Sequence, residues 1–265
     1  MDARMLLAIA EAVVDDAERI FLAGMGTAER VDKSGGDFAT TSDLSIEALL
    51  RRELTAITGI PVYGEEGGGS LEDEAVWVVD PIDGTANYVA GNPMCAILVS
   101  LLYRGAPVVA LCSIPALDKR LTAFAGSPLL LNGKPQPPIA HPHRREVQIG
   151  YGSIVADRRH DMSSALRHEL LAKLADEDTR LRVTGSVGVD LAFVALGIFT
   201  AAVTFSPFVW DNAAGVLLVQ AAGGVATGLD GHPWRIGATG VIAGVAAKHN
   251  EILSTIDEIR KEEKV

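Results

Sequence analysis

A buried strand with acids at its end is predicted by the stretch Trp77-Val78-Val79-Asp80-Pro81-Ile82-Asp83-Gly84-Thr85. The apolar run before Asp80 favours a strand, and α/β sheets usually place ligands at the carboxyl ends of their strands. Pro81 fixes its own φ and disfavours helical backbone at the residue before it. A turn through residues 81 and 82 would therefore bring Asp83 back beside Asp80.

The residues after Asp83 predict a seat for an anion. Gly84 permits an unusual backbone angle and lets a ligand approach closely. Residues 85–88 predict a helical turn whose free N–H groups suit a phosphate dianion. The same stretch is also typical of an ordinary turn between a strand and a helix, because Asp, Pro and Gly are common turn residues. Acids elsewhere in the chain bear on the choice between these two interpretations.

Two other segments carry acids in comparable positions. Glu65-Glu66 follows predicted strand residues and precedes three glycines, which indicates a flexible loop. Asp211 lies at the start of an apolar helix predicted over 211–222. Taken singly, a solvated loop explains the first segment and a plain N-cap explains the second. Their occurrence together with Asp80 and Asp83 favours a shared site.

Four acids, if they converge, would create a site for divalent cations. They are Glu65, Asp80, Asp83 and Asp211. Each additional anion raises the pKa of the others and costs stability, and a cation relieves that repulsion. Oxygen ligands without His or Cys select hard ions, Mg²⁺ first and Mn²⁺ or Ca²⁺ next. Zinc is not expected, because Cys95 and Cys112 lie in separate apolar runs without a ligand spacing.

The composition of the 265 residues excludes several classes of protein. With 48% hydrophobic and 22% charged residues the chain is an ordinary globular one. A formal net charge of −11 argues against nucleic-acid binding, because phosphate backbones select Lys and Arg surfaces. No run approaches the roughly 20 apolar residues of a membrane span. We therefore expect a cytoplasmic protein whose two cysteines are buried thiols.

The first half of the chain, predicted as 1–140, is of the α+β kind. Helical spacing of apolar residues predicts two helices separated by a loop or short hairpin. The helices are predicted over 3–22 and from Ser42 or Asp43 to 57, and the loop over 24–38. Three strands joined by short turns then favour an antiparallel meander. They are predicted over 95–103, 106–114 and 119–124.

The second half, predicted as 141–265, begins at a proline-rich boundary over 135–142. Strands alternate with helices in this half, which favours an α/β arrangement. The strands are predicted over 147–150, 180–183, 200–205 and 241–246, and the helices over 163–176, 187–197, 211–222 and 248–260. Most of the predicted metal ligands fall in the first half, and the second half would complete the site.

Five motifs occur in a specific order along the chain. They are DFATTSD at 37–43, GEE at 64–66, DPIDGT at 80–85, GSVG at 185–188 and WDNAAG at 210–215, the last followed by AGG at 222–224. On these motifs the chain resembles, essentially end to end, the inositol monophosphatase family of lithium-sensitive, magnesium-dependent phosphatases. The resemblance implies a layered α-β-α-β-α sandwich of the inositol monophosphatase and sugar phosphatase type, assembled as a homodimer.

The resemblance also implies how the site would bind its metal ions. Glu65, Asp80 and the backbone carbonyl of Ile82 would hold a first Mg²⁺. Asp80, Asp83 and Asp211 would hold a second, and a third, weaker ion would lean on Glu65. Mn²⁺ is a possible substitute. The segment around Lys33 resembles the family's mobile metal-binding loop, although a lone loop lysine is also often simply solvated.

Catalytic and substrate-binding roles follow from the same resemblance. Thr85 and Glu65 would orient the attacking water, and Asp43 would support Thr85 from behind. The backbone N–H groups of Gly84 and Thr85 would grip the phosphate. The substrate-binding residues implied are Asp83, Gly84, Thr85, Gly188, Val189, Asp190, Thr204 and Asp211. Asp190 would face the polyol, and its alternative is a helix-start acid stabilised by the helix dipole.

The expected reaction is hydrolysis of myo-inositol 1-phosphate to inositol and phosphate by a metal-activated water. Thr204 stands where inositol-preferring members often carry Glu, and the chain between Glu65 and Asp80 looks shortened. Both departures concern the substrate, so other substrates stay open: 3′-phosphoadenosine phosphates, histidinol phosphate or fructose bisphosphate. A non-catalytic regulatory scaffold is a further alternative, although every acid of the motifs is present.

Overall fold

The computed structural model describes residues 2–33, 38–140, 147–154, 162–175 and 179–262. Within these ranges the α-helices are α1 (Ala3–Gly24), α2 (Thr41–Thr58), α3 (Thr85–Val89), α4 (Ser164–Leu174), α5 (Val187–Ala195), α6 (Val209–Ala221) and α7 (Ala246–Glu262). The strands are β1 (Arg30–Asp32), β2 (Phe38–Thr40), β3 (Val62–Gly64), β4 (Ala75–Asp83), β5 (Ala96–Tyr103), β6 (Ala106–Ile114), β7 (Lys119–Phe124), β8 (Leu130–Leu131), β9 (Lys134–Pro135), β10 (Val147–Tyr151), β11 (Thr179–Arg182), β12 (Ala201–Thr204), β13 (Val225–Thr227) and β14 (Val241–Gly244). A 3₁₀ turn covers Pro115–Leu117.

The start of α2 is set by a capping box rather than by the residues the sequence favoured. The Thr40 hydroxyl accepts from the N–H groups of Ser42 and Asp43, and the Asp43 carboxylate accepts from the Thr40 N–H. This exchange satisfies backbone donors that have no partner inside the helix. Asp43 is therefore the third helical residue and not the cap. The helix ends at Gly59, which has a φ of 70°.

A seven-stranded sheet has the order β3-β4-β5-β6-β7-β8-β9. Strands β4 to β9 pair antiparallel with their sequence neighbours, so the expected meander is confirmed. Strand β3 pairs with β4 in parallel and thereby brings Gly64 opposite Val79. The residues that follow β3 thus emerge beside the carboxyl end of β4.

The second sheet has the order β11-β10-β12-β14-β13. Strand β10 pairs in parallel with β11 and β12, and β14 pairs antiparallel with β12 and β13. Strand β13 is absent from the expected elements, because its three residues are too short to show a periodicity. The hairpin alternative for 24–38 is realised by β1 and β2, although residues 34–37 lie outside the described ranges.

Five layers stack in the order helix, sheet, helix, sheet, helix. Helices α1 and α2 pack on one face of the seven-stranded sheet through Leu6, Phe21, Leu50 and their neighbours. Helices α5 and α6 fill the space between the two sheets. Helices α4 and α7 cover the outer face of the second sheet. The expected α-β-α-β-α sandwich is confirmed.

The core between the sheets draws on both sides of the predicted boundary at residue 140. Leu98 and Ala110 come from the first sheet, and Val189 and Leu218 come from the helices of the later part. Residues 141–146 at the boundary lie outside the described ranges, so the division into halves stays a prediction. No α-helix in the described ranges has both the length and the apolar composition of a membrane span.

Candidate metal centre and active site

Three carboxylates from two distant segments meet at the carboxyl end of β4, in the seven-stranded sheet. Asp80 and Asp83 lie in β4, and Asp211 lies in the first turn of α6. One oxygen of each lies within 4.8 Å of the others, and Asp80 and Asp83 are buried. Helix α6 begins at Val209 with Phe208 as its N-cap residue, so Asp211 is not the cap. Its carboxylate is therefore available to the shared site.

An irregularity in β4 brings Asp80 and Asp83 together. The pairing with β5 shifts register between the two acids, so three steps along β4 correspond to two along β5. The Ile82 N–H donates to Asp80 Oδ1 at 3.0 Å, which closes the local turn. The turn expected through residues 81 and 82 is thus accommodated inside the strand, as β-bulges commonly do beside active sites.

The N-terminus of α5 fixes the orientation of Asp83. Its Oδ2 accepts from the Ser186 hydroxyl and, at 2.6 Å, from the Gly188 N–H. Its Oδ1 accepts from the Val187 N–H at 3.3 Å. A side chain at position 188 would place its Cβ 2.5 Å from Leu98 Cδ2 and 2.9 Å from Asp83 Oδ2, so any other residue would require Leu98 or Asp83 to shift.

The three acids repel one another in this setting. Burial, and then repulsion from Glu65, raises the pKa of Asp80 well above its usual value. Burial raises the pKa of Asp83 to about 6, although the donors of α5 act in the opposite direction. Burial, followed by repulsion from Asp83, raises the pKa of Asp211. A positive charge at this point would reverse all three shifts.

The loop after β3 is held in place rather than flexible. Lys33 Nζ lies 3.0 Å from Glu65 Oε1 and 2.6 Å from Glu66 Oε1. Although burial lowers it, the hydrogen bond to Glu66 raises the pKa of Lys33 above its usual range. The Glu66 and Gly67 N–H groups each donate to Glu47 at 2.7 Å. These contacts do not support the solvated-loop alternative, and they hold a loop that was expected to be flexible because of its glycines.

Thr85 and Asp43 lie near the acids but do not support each other as expected. The Thr85 hydroxyl donates to the Ile82 carbonyl at 3.1 Å. The Asp43 carboxylate is engaged by the N–H and hydroxyl of Thr40. Both residues belong to the described part of the chain, and no hydrogen bond joins them. Asp43 Oδ1 is buried without a hydrogen-bond partner among the described residues, and burial raises the pKa of Asp43.

The predicted substrate-binding residues divide into two groups. Gly84 has a φ of 85° at the start of α3, beside the acids, where a Cβ would lie 3.0 Å from the Met94 carbonyl. Asp190 is only 2% exposed, and its Oδ1 accepts from the Thr184 hydroxyl at 2.7 Å. Thr204 is fully buried, and its hydroxyl donates to Asn212 and accepts from the Val241 N–H.

Asp190 and Thr204 therefore direct their polar atoms into the protein. Hydrogen bonds inside the fold occupy them, and burial raises the pKa of Asp190. Gly188 and Val189 are buried in α5, where the Gly188 N–H is committed to Asp83. The expectation that these four residues face a polyol is not supported by their positions. It was carried over from the family resemblance, and a match in sequence does not report which way a side chain points.

Several residues of the site escaped sequence reasoning. Ser186 both donates to Asp83 and accepts from the Val189 N–H as the N-cap of α5. Ser206 hydrogen-bonds Asp211, which lowers the pKa of that acid against the effect of burial. Glu47 contacts the loop that carries Glu65. A serine immediately before a predicted helix was the available signal for Ser186.

The donor set fits a hard divalent cation. Three carboxylates converge, and a carbonyl and a fourth carboxylate lie in adjoining segments. Burial raises the pKa of all three acids, and repulsion from neighbouring acids adds to this at Asp80 and Asp211. Oxygen donors of this kind match Mg²⁺ or Mn²⁺ and offer no soft ligand for zinc. Without a compensating cation, such a cluster costs stability.

A family model describes the same chain. The model of the inositol monophosphatase family matches residues 2–261. This chain belongs to the inositol monophosphatase family. The five motifs that carried the resemblance all fall within the matched range, and the three converging acids belong to two of them.

Individual members of the inositol monophosphatase family are similar to this chain over nearly their whole length. A probable inositol 1-monophosphatase, ImpA, of Mycobacterium tuberculosis is 47% identical over 255 residues, 96% of this chain and 94% of that protein. An inositol-1-monophosphatase ImpA of Mycolicibacterium smegmatis is 44% identical and covers 97% and 94%. A solved IMPase of Thermotoga maritima superposes with a TM-score of 0.84 at 24% identity over 99% of each chain, a likeness that concerns the fold.

Proposed function

We propose that this family member hydrolyses myo-inositol 1-phosphate to inositol and phosphate with Mg²⁺ as the cofactor. The observation that carries the proposal is the convergence of Asp80, Asp83 and Asp211 within 4.8 Å in a chain of this family. The two ImpA relatives support the substrate, because both are named for inositol 1-phosphate hydrolysis and align almost completely.

Two overlapping sets of ligands would hold the metal ions. Glu65, Asp80 and the Ile82 carbonyl form the first set. Asp80, Asp83 and Asp211 form the second, with Asp80 shared, and Glu65 would also serve a third, weaker ion. When bound, Mg²⁺ supplies charge neutralisation for the phosphate, a lowered pKa for water and stabilisation of the leaving alkoxide.

The chain's own groups do the positioning. Thr85 and Glu65 orient the attacking water. The Thr85 hydroxyl donates a hydrogen bond to the Ile82 carbonyl, which is itself a proposed metal ligand. The N–H groups of Gly84 and Thr85 would bind the phosphate. The N-terminus of α5 holds Asp83 in place through Ser186 and Gly188. Asp43 makes no hydrogen bond to Thr85 and stays bound to Thr40 at the start of α2, so we assign it no direct part in positioning the water.

The deciding experiment measures phosphate release from inositol 1-phosphate with Mg²⁺, and again with a chelator. We expect rapid release that the chelator abolishes and that restored Mg²⁺ recovers. Activity restricted to a 3′-phosphoadenosine phosphate, histidinol phosphate or fructose bisphosphate would keep the reaction and overturn the substrate. No release from any phosphate ester would overturn the enzyme and favour a scaffold.

We also propose a homodimer, a cytoplasmic location and inhibition by lithium, as the family resemblance implies. Sedimentation at micromolar concentration should give about twice the chain mass of 27.9 kDa. A monomer at that concentration would contradict the assembly. Lithium at millimolar concentration should slow turnover without unfolding the protein, and unchanged turnover would contradict the sensitivity.

A further inference from the structure

A buried carboxylate on α2 contacts the loop that carries Glu65. Glu47 is 3% exposed. Its Oε2 accepts from the Glu66 N–H at 2.7 Å, and its Oε1 accepts from the Gly67 N–H at 2.7 Å. These are charge-assisted bonds to two successive amides, which are shorter and stronger than neutral ones. The backbone directly after Glu65 is thereby tied to α2.

Arg51 completes the contact from one helical turn further along. Its Nη2 donates to Glu47 Oε1 and to the Gly68 carbonyl, both at 2.9 Å. Its Nη1 donates to the Val62 carbonyl in β3 at 2.6 Å. The guanidinium thus neutralises the buried acid and joins both ends of the loop. We call Glu47 and Arg51 together the loop clamp.

The glycines of the loop are shaped to the loop clamp. A Cβ on Gly64 would lie 2.5 Å from Glu47 Oε1, and a Cβ on Gly67 would lie 2.7 Å from the same oxygen. Neither glycine has a positive φ, so the backbone conformation does not require glycine at these positions. Glycine is required there because the backbone passes too close to the Glu47 carboxylate to leave room for a Cβ. The GEE motif and Glu47 therefore form one unit, although 16 or more positions separate them in sequence.

We propose that Glu47 is a positioning residue that, held by Arg51, aims Glu65 at the metal centre. The proposal rests on the proposed function, because it takes Glu65 as a metal ligand. Glu47 does not need to touch an ion. It fixes the backbone amides of the two residues after Glu65. The backbone of Glu65 is then already ordered, so its side chain loses less conformational entropy when it binds a metal ion.

The test compares Glu47→Gln with two variants on the same helix. Gln offers one acceptor oxygen, so one amide of the loop loses its partner and faces an NH₂ group. Glu53→Gln changes a half-exposed acid of the same helix, and Ile46→Val is a mild core change beside Glu47. Mn²⁺ binding is measured by calorimetry, and amide hydrogen exchange is followed at Glu66 and Gly67.

In Glu47→Gln we expect Mn²⁺ binding about tenfold weaker, the size typical of losing a group that supports a metal ligand. Exchange at Glu66 and Gly67 should accelerate, and the Mg²⁺ concentration for half-maximal activity should rise more than KM for substrate. Both control variants should bind Mn²⁺ as the wild type does. If Glu47→Gln does not fold, Gly67→Ala disturbs the same contact from the loop side and should weaken Mn²⁺ binding likewise.

Unchanged Mn²⁺ affinity in a folded Glu47→Gln protein, or in Gly67→Ala, would overturn the positioning role. Equal weakening in Ile46→Val would do the same, since it would trace the effect to stability. A wild type without Mg²⁺-dependent phosphatase activity would overturn the proposed function instead. In that case weaker Mn²⁺ binding by Glu47→Gln would still support the loop clamp.

Discussion

Asp83 and Asp211 have the same side chain and share one cluster, yet their surroundings differ. Asp83 accepts three hydrogen bonds from the start of α5. Asp211 hydrogen-bonds Ser206 and faces Asp80, and repulsion from Asp83 adds to the effect of burial on its pKa. Removing the negative charge should therefore have opposite effects on stability at the two positions.

Asp211→Asn should lower turnover with Mg²⁺ by at least about 100-fold, because it removes a proposed metal ligand. In the presence of a chelator, the same variant should melt at a higher temperature than the wild type, because one negative charge of the acidic cluster is gone. Steady-state kinetics and thermal unfolding measure the two effects. Asp257→Asn, an exposed change on α7, should alter neither. Wild-type turnover in a folded Asp211→Asn protein would refute the metal assignment.

Asp83→Asn should also abolish turnover, but with a cost in stability that the sequence alone did not lead us to expect. An amide at this position turns its NH₂ group either towards the Ser186 hydroxyl and the Gly188 N–H or towards the Val187 N–H. An unsatisfied buried donor costs about 1–3 kcal/mol. Denaturant unfolding with a chelator measures the difference. A more stable Asp83→Asn protein would show that relieving the repulsion among the acids outweighs the hydrogen bonds lost at the start of α5.

At the residue scale, the acids themselves could be predicted, and their hydrogen-bond partners could not. Asp80, Asp83 and Asp211 stand out because an acid beside an apolar segment is costly to bury unless a counter-charge or hydrogen bonds compensate it. Asp190 and Thr204 stood at plausible positions too, but both are buried with their polar atoms occupied. Spacing along a chain does not determine the direction of a side chain once a helix is packed on every side.

At the scale of elements, α5 serves the metal centre through its first turn. Ser186 caps the helix by accepting from the Val189 N–H and in the same position donates to Asp83. Helix α2 acts similarly on the loop after β3, through Glu47, which lies one turn after the capping box. Two helix starts therefore orient groups that lie on β4 and on the loop after β3.

Ser186→Ala should cost about 1 kcal/mol of stability, which is typical of a lost N-cap, and should also weaken Mn²⁺ binding. Ser163→Ala is the matched control, because Ser163 caps α4 by accepting from the Leu166 N–H, in the layer beyond the second sheet. Both variants should lose comparable stability in denaturant unfolding. Weaker metal binding in both variants, or in neither, would show that Ser186 does not affect metal binding through Asp83.

Most helices and strands could be predicted from apolar periodicity, and the strands over 106–114 and 119–124 were predicted to the residue. The shortest strands and the parallel pairing of β3 with β4 could not, because pairing depends on residues distant in sequence. The loop after β3 was expected to be flexible from its glycines. Those glycines instead permit close contact with Glu47.

At the scale of the whole molecule, the acidic cluster makes stability depend on pH and on metal together. Folding raises the pKa of Asp80, Asp83 and Asp211, that of Asp83 to about 6. An acid with a raised pKa keeps its proton in the folded state after the unfolded chain has lost it. Its effect is therefore absent below about pH 4 and becomes destabilising as pH rises through the folded-state pKa.

The Mg²⁺-induced increase in the free energy of unfolding should therefore be larger at pH 7.5 than at pH 5. Urea unfolding at both pH values, with Mg²⁺ and with a chelator, measures it. The buried His249 has a lowered pKa and acts in the opposite direction, gaining stability as pH rises towards about 6.5. For this reason the comparison uses the difference that Mg²⁺ makes, and Asp211→Asn should reduce that difference. An equal Mg²⁺ effect at both pH values would contradict the proposed repulsion among the acids.

The sequence by itself determined the family, the mixed α/β class, the helices and strands of the core and the acids of the site. These follow from local patterns and motifs, because periodicity and residue type are properties of the chain. Only the tertiary structure decided that three acids meet within 4.8 Å, that α5 holds Asp83, and that Glu47 and Arg51 hold the loop of Glu65. Such contacts join residues up to more than a hundred positions apart, and packing of layers, not local preference, brings them together.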